Sequence, residues 1–279
     1  YGSIGGGFTF LGGALLKVAS GAYLEISDNK PTGTGDYSRG GGAYFQDKDT
    51  SFEINLGAKI VVQGNVASYQ GGGLILTAKT ALIISSGAFL DVINNTATTQ
   101  NGGGMFITDS VLDVSGSGTK LVVRENSGRS GAGITAEKTS SISISLSARL
   151  DVINNTAWSG SGGGIYIKQK GTRLDVSGTG TQFTVMGNTA KVTGGGMAIQ
   201  SNAILRSTSA TVFQSNTAAT GGGVGVFDNG GKEDGGGNCV QLSLRVQYDG
   251  MYNVDEDGNL IDTVNTASTS FYISTIPNS

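Results

Sequence analysis

The chain contains no histidine, one cysteine and only two prolines among its 279 residues. Without histidine, an enzyme would lack the side chain that most often transfers protons. The lone Cys239 excludes an internal disulfide framework, so we expect this residue to be either a buried, incidental apolar side chain or a bridge to another chain. The scarcity of proline excludes a collagen-like chain and a proline-rich linker.

Charge and long apolar stretches are also scarce. Charged residues make up 14% of the chain and the net charge is −3, without any run of lysine or arginine. We therefore expect no nucleic-acid partner, which would require a basic face. The apolar runs, such as residues 60–62, are far shorter than the ~20 residues that span a membrane. A low charge with abundant small polar residues is typical of secreted β-proteins and predicts an extracellular or cell-surface location. The chain starts at Tyr1 without a signal peptide, so we expect a piece of a longer polypeptide.

Two segments of the chain repeat almost unchanged. Residues 90–97 and 150–157 share the sequence LDVINNTA, and residues 112–116 recur as 174–178, so the matched pairs lie 60 and 62 residues apart. The basic unit is half that length, because an asparagine recurs every 28 to 36 residues and is followed by a glycine-rich cluster. Glycine reaches 48 residues, against about 20 expected from an average usage of ~7%. A period of this length indicates a repeat architecture.

The recurring asparagines align the repeats into columns. We predict that they stack as a ladder at one corner of the fold, formed by Asn29, Asn65, Asn95, Asn126, Asn155, Asn188 and Asn216. The positions three and five residues before each asparagine are apolar, apart from Thr211, and the residue between them varies. This alternation is that of a strand with one buried face. Residues 141–146 show the same alternation, and we predict that Ile142, Ile144 and Leu146 point inward.

Three such strands fit into one repeat, for example residues 74–76, 81–84 and 89–93. Three strands and three bends in ~30 residues make one coil, and coils stacked about 4.8 Å apart pair each strand in parallel with its copy. We therefore predict an all-β, right-handed, three-sided parallel β-helix of about eight coils, roughly 40 Å long, with almost no α-helix.

The columns around each asparagine have distinct predicted roles. The asparagine bonds the backbone of a buried bend and tolerates left-handed dihedral angles, and its side chain can bond along the ladder. The residue two positions later is small in every repeat except the first, where Pro31 stands. The glycine cluster permits positive φ and close backbone approach as the next strand begins.

Residues 213–216 read Phe-x-x-Asn, residues 12–15 read Gly-Gly-Ala-Leu, and residues 41–43 match the second motif in part. These motifs resemble the repeat of the polymorphic outer membrane proteins, bacterial surface adhesins with a parallel β-helix of the pectin-lyase-like kind. The resemblance covers residues from about 5 to 227, but the other repeats carry valine or isoleucine for phenylalanine and usually a third glycine for alanine. It implies a surface adhesin segment or a subunit of an extracellular filament, which self-associates or binds other surface proteins or glycans.

A carbohydrate-active enzyme is the alternative function, since many parallel β-helices are polysaccharide lyases or glycoside hydrolases. The recurring outward residues Asp91, Asp113, Asp151 and Asp175 are its candidate carboxylates. They recur with the repeat, whereas an active site interrupts a repeat in one place. We therefore interpret them as a solvated strand face, with a carbohydrate or cation contact as the other interpretation, and we predict no catalytic residue, metal site or cofactor. A carbohydrate-binding or ice-binding solenoid is a third hypothesis, although the threonines do not form the flat column that ice binding needs.

The repeat loses its register after Gly223, and the next Asn-Thr-Ala triplet begins at Asn265. We predict β-helix repeats over residues 1–227 and an irregular region over 228–279, with a hairpin and a final altered coil. Residues 255–259 look like the start of a calcium loop, but the pattern then fails, because Leu260 and Thr266 replace the required glycine and glutamate. A hairpin turn explains this segment better.

Two N-glycosylation sequons occur, at Asn94 and Asn154. Their column also holds charged residues and glycines, so it should face solvent. We expect glycans on these two residues if the source is eukaryotic. Otherwise the sequons are a chance product of the ladder asparagine and the threonine that follows it.

Overall fold

A computed structural model describes residues 5–31 and 38–227, together with the backbone of five later strands. The described residues form strands and turns without a helix, and none of them belongs to a helix that is long and apolar enough to cross a membrane.

Three long sheets run along the axis of a parallel β-solenoid. Sheet 1 contains β1 (Phe8–Phe10), β4 (Ala43–Gln46), β8 (Leu74–Thr77), β12 (Met105–Thr108), β16 (Ile134–Glu137), β20 (Ile165–Lys168), β24 (Met197–Gln200) and β27 (Val224–Phe227). Sheet 2 contains β2 (Leu15–Val18), β5 (Ser51–Ile54), β9 (Ala81–Ser85), β13 (Val111–Ser115), β17 (Ser141–Ser145), β21 (Arg173–Val176), β25 (Ile204–Ser207), β28 (Cys239–Leu242) and β32 (Phe271–Ser274). Sheet 3 contains β3 (Tyr23–Ser27), β6 (Lys59–Gln63), β10 (Phe89–Ile93), β14 (Lys120–Arg124), β18 (Arg149–Ile153), β22 (Gln182–Met186), β26 (Ala210–Gln214) and β29 (Val246–Tyr248).

Each coil contributes one strand to each long sheet, and each strand pairs in parallel with its copy in the next coil. Leu90, for example, pairs with Ile60 on one side and with Leu121 on the other. The result is about 7 turns of ~31 residues, close to the predicted eight coils of about 30. The predicted parallel β-solenoid architecture is therefore confirmed, and the three strands predicted in residues 74–93 are β8, β9 and β10.

A fourth, two-residue strand follows the asparagine corner in five coils, which the sequence did not predict. These strands form a small corner sheet of β7 (Val66–Ala67), β11 (Thr96–Ala97), β15 (Ser127–Gly128), β19 (Thr156–Ala157) and β23 (Thr189–Ala190). Two residues are too few to show the alternation of a strand, so the small-residue column at this position did not identify one.

The apolar residues predicted to point inward form one continuous core along the axis. Residues such as Val92, Leu90 and Phe183 are fully buried, and Thr211, the one polar residue of these columns, is buried with its hydroxyl 2.6 Å from that of Ser207. The prediction for Leu146 is wrong. This residue lies in the turn after β17 with φ of 55° and is 67% exposed, because the strand ends one residue earlier.

Beyond residue 227, β28 and β29 extend sheets 2 and 3 in parallel. The strand β32 runs antiparallel to β28, and β30 (Tyr252–Val254) pairs antiparallel with β31 (Leu260–Thr263). Residues 255–259, Asn265 and the side chain of Cys239 lie outside the described residues.

Candidate functional site

The seven predicted asparagines lie in one line, each beside the next. The backbone N–H and the Nδ2 of Asn126 both donate to Oδ1 of Asn155, at 3.0 Å each, and Nδ2 also donates to the Val92 carbonyl at 2.9 Å. The same three bonds recur in the other interior members of the ladder. From Asn65 to Asn188 these residues are at most 1% exposed. Buried amides need such partners, and the ladder supplies them from one coil to the next.

The left-handed conformation belongs to the residue before each asparagine, and not to the asparagine as predicted. The seven residues with this conformation have φ between 52° and 66° and are Asp28, Gly64, Asn94, Glu125, Asn154, Gly187 and Ser215. Glycine and asparagine tolerate this conformation more readily than most residues do. Because the chain turns at this residue, the following asparagine can point into the corner. Asn94 and Asn154 are exposed, as their column predicted.

The glycine cluster has two functions at the asparagine corner. Its first glycine has positive φ, as in Gly102 with 71°. Its third glycine packs on the ladder, since a Cβ on Gly104 would lie 2.9 Å from Nδ2 of Asn126 and 2.7 Å from the Gly133 carbonyl oxygen. Alanine at the third position, as in the motif of the resembling family, would therefore displace the ladder.

A second buried layer covers the outer face of sheet 1, which the sequence analysis missed. In its strands β4 to β20 the second residue is at most 9% exposed, although it points away from the core; these residues are Tyr44, Ile75, Phe106, Thr135 and Tyr166. The loop after each corner strand covers them, because a Cβ on Gly71 would collide with the side chain of Ile75. The apolar column at these positions was the available signal.

Tyr166 has the most strongly shifted pKa of the residues on this face. Its hydroxyl donates to Oε1 of Gln200, and Nζ of Lys168 lies 5.7 Å from its ring centroid and 2.8 Å from Oε2 of Glu137. Burial, together with the nearby Glu137 carboxylate, raises the pKa of Tyr166 to about 12. The phenol therefore remains protonated at neutral pH and cannot serve as a base.

The predicted solvated face is wrong for two of the four candidate carboxylates. Asp151 is 1% exposed, with its carboxylate 3.0 Å from Nζ of Lys120 and 2.8 Å from Nε of Arg149. Asp91 is 8% exposed and lies 3.0 Å from Nη2 of Arg124, and this hydrogen bond raises the pKa of Arg124. Each cation lies on the same strand as its aspartate or on a neighbouring strand of sheet 3. Their long side chains cover both carboxylates.

The other two candidate carboxylates lie on a different sheet. Asp113 accepts a bond from the Ser115 hydroxyl at 3.2 Å, and Asp175 lies 3.3 Å from Nε of Arg173, both on sheet 2. The fold therefore does not bring the four aspartates together. Within residues 5–31 and 38–227, no three acidic or cysteine side chains are grouped so that they could hold a metal ion.

The first coil presents apolar side chains at its edge. Phe8, Leu15 and Tyr23 are 40%, 55% and 58% exposed, and the Phe10 ring stacks on Phe45 at 4.9 Å. The strands β1, β2 and β3 each stand at the end of their sheet. An edge of this kind can pair with a further coil of the same register.

No known protein family, curated protein or solved structure matches the chain. The fold is therefore established by the strand pairing itself. The resemblance to the polymorphic outer membrane protein repeat stays a prediction.

Proposed function

We propose that the chain is an extracellular structural or adhesive β-solenoid, either a segment of a surface adhesin or a subunit of an extracellular filament. Its partners would be copies of itself, other surface proteins or glycans. The uninterrupted ladder from Asn29 to Asn216 carries the proposal. From Asn65 to Asn188 each coil repeats the same bonds with the same residue type, which favours a uniform rod over one specialised pocket.

The surface charges support this proposal. Lys120, Arg124 and Arg149 are paired with aspartates of the same sheet face, so most of the charge on sheet 3 is compensated there. With only 14% charged residues, neighbouring copies would meet little electrostatic repulsion. Small polar residues would keep such a surface hydrated outside the cell.

The alternative function is a carbohydrate-active enzyme, and one observation favours it. Asp91 and Asp151 occupy the same column of sheet 3 two coils apart, which separates their Cα atoms by roughly 10 Å. This value is close to the carboxylate separation in inverting glycosidases, roughly 6.5 to 9.5 Å. The ion pairs of both residues would have to open before either could act. Loss of a measured glycosidase activity in both Asp91→Asn and Asp151→Asn would support the enzyme.

Electron microscopy of the purified whole chain tests the main proposal. We expect long, unbranched filaments that persist at molar salt concentrations, because parallel coil pairing relies on backbone hydrogen bonds and apolar contacts. Particles that remain single chains at every concentration would contradict the filament. Binding of the chain to intact cell surfaces tests the adhesin separately.

Secretion from a eukaryotic host tests the sequons. We expect glycans on Asn94 and Asn154, because both side chains are exposed, and intact-mass measurement before and after glycosidase treatment would detect them. In the matched variant pair Asn94→Gln and Asn154→Gln, each change should remove one glycan. An unmodified chain recovered from the secretory pathway would contradict the expectation.

A further inference from the structure

The only tryptophan of the chain stands on the outside of the asparagine corner. Trp158 follows β19 directly and is 44% exposed. Its backbone N–H donates to the Gly128 carbonyl at 3.0 Å, and the backbone N–H of Lys191 donates to the Ala157 carbonyl at 3.1 Å. This register places Trp158 beside Arg129 of the preceding coil and Lys191 of the next one. With coils about 4.8 Å apart, the backbone of Trp158 lies between those of two cationic residues.

Both flanking cations are free to meet a ligand. Arg129 and Lys191 are exposed, and neither forms an ion pair within residues 5–31 and 38–227. On sheet 3, by contrast, Lys120 and Arg149 are held by a buried carboxylate. The corner therefore carries two uncompensated positive charges beside an exposed aromatic ring.

The loop after Trp158 leaves the indole uncovered. Residues 159–162 are Ser-Gly-Ser-Gly, whereas residues 98–101 of an earlier coil are Thr-Thr-Gln-Asn. A Cβ on Gly160 would lie 3.0 Å from the Arg129 carbonyl oxygen and would collide with the Ser130 hydroxyl. The loop thus runs close against the preceding coil and carries only small side chains next to the ring.

We propose that Trp158, Arg129 and Lys191 bind an anionic saccharide. A sugar ring would stack its apolar face on the indole, and its carboxylate or sulfate groups would accept bonds from the two cations. Arginine suits this role because its guanidinium binds planar oxyanions with two parallel hydrogen bonds. This inference rests on the adhesive half of the proposed function and names the ligand class.

A single-stranded nucleic acid fits this corner less well than a saccharide does. Such a strand needs a positively charged groove that follows its backbone over several nucleotides and further aromatic platforms for its bases. Only one tryptophan and two cations meet at this corner, in a chain of net charge −3. The nucleic acid is therefore an outcome of the test and not the proposal.

The test uses the fluorescence of Trp158, because no other tryptophan contributes to the signal. The whole chain is titrated with hexasaccharides that are carboxylated (mannuronate), sulfated (heparin-derived) or neutral (cellohexaose), and with oligothymidylate. We expect a saturable change with one or both anionic sugars that weakens as salt rises. Arg129→Gln and Lys191→Gln should each weaken binding about tenfold, as loss of one charge-assisted bond implies. The control Lys170→Gln, an exposed lysine on another corner, should bind like the unaltered chain.

Three results would overturn the proposal: an equal response to the neutral sugar, tighter binding of oligothymidylate, or unchanged affinity in both corner variants. Circular dichroism of each variant checks that the fold is retained. The titration is carried out at concentrations where the chain is monomeric by light scattering. Failure of binding is then distinguishable from failure of filament formation or of cell adhesion, because each has its own assay.

Discussion

Replacing Asn126 by alanine should destabilise the solenoid far more than the same change in Asn29. The Asn126 side chain donates to Asn155 Oδ1 and to the Val92 carbonyl, and it accepts from the N–H and Nδ2 of Asn95 at 2.9 and 3.1 Å. Each of these four bonds contributes about 1 kcal/mol, and leaving the buried Asn95 N–H without its acceptor adds about 1 to 3 kcal/mol. We expect a loss of about 5 to 7 kcal/mol in the free energy of unfolding.

Asn29 is the first member of the ladder. It is half-buried, and among the described residues its side chain donates one bond, to Asn65 Oδ1 at 2.9 Å. Its replacement by alanine should therefore cost about 1 kcal/mol. Asn94→Gly is the control for the corner backbone and should be nearly neutral, because glycine stands in that column at Gly64 and Gly187.

Urea unfolding followed by circular dichroism measures these differences. Because coils of a repeat protein contact mainly their neighbours, hydrogen exchange should also accelerate locally around residue 126. A loss below about 2 kcal/mol for Asn126→Ala, or one equal to that of Asn29→Ala, would refute the view that the ladder amides act as a bonded chain.

Three further perturbations test other parts of the structure. Leu146→Asn should raise the free energy of unfolding in urea by about 1 kcal/mol, because a left-handed conformation strains leucine, and Leu146→Ala should raise it less. Since the pKa of Tyr166 is raised to about 12 from 10.0, the unfolded chain ionises first, and stability should fall between these pH values by up to about 3 kcal/mol. Tyr166→Phe should lack this part of the pH slope, and an unchanged slope would contradict the assignment. Asp151→Asn should lower the free energy of unfolding by about 1 kcal/mol. The double change of Lys120 and Arg149 to methionine should lower it by about 3 kcal/mol, because it leaves a buried carboxylate unpaired. The reverse order of the two losses in thermal unfolding would contradict this explanation.

The repeat made most of the fold predictable. An alternation of period two within each strand, and an asparagine at a nearly constant interval, were sufficient to predict parallel coils and the ladder. Both signals are local or strictly periodic, so they can be recognised in a single amino-acid sequence. Leu146 shows the limit of this approach, since the alternation continues past the end of β17 while the backbone already turns.

The features that the sequence did not predict depend on neighbours one coil away. Asp151 is buried because Lys120, about 30 residues earlier, lies on the neighbouring strand of sheet 3. Only the strand register brings the two residues together. Tyr166 is buried because a loop folds over the outer face of sheet 1. The position of Trp158 between Arg129 and Lys191 follows from the same register, although each of the three residues looks like an ordinary loop residue in the sequence.

The hydrogen bonds that join one ladder asparagine to the next all point the same way. From Asn65 to Asn188, each side chain donates one amide N–H to the asparagine of the following coil, and its oxygen accepts from the asparagine of the preceding coil. Their dipoles therefore add along the axis, unlike those of the backbone in a sheet, which largely cancel. The rod is thus electrically polar, with its positive end at the Asn216 side.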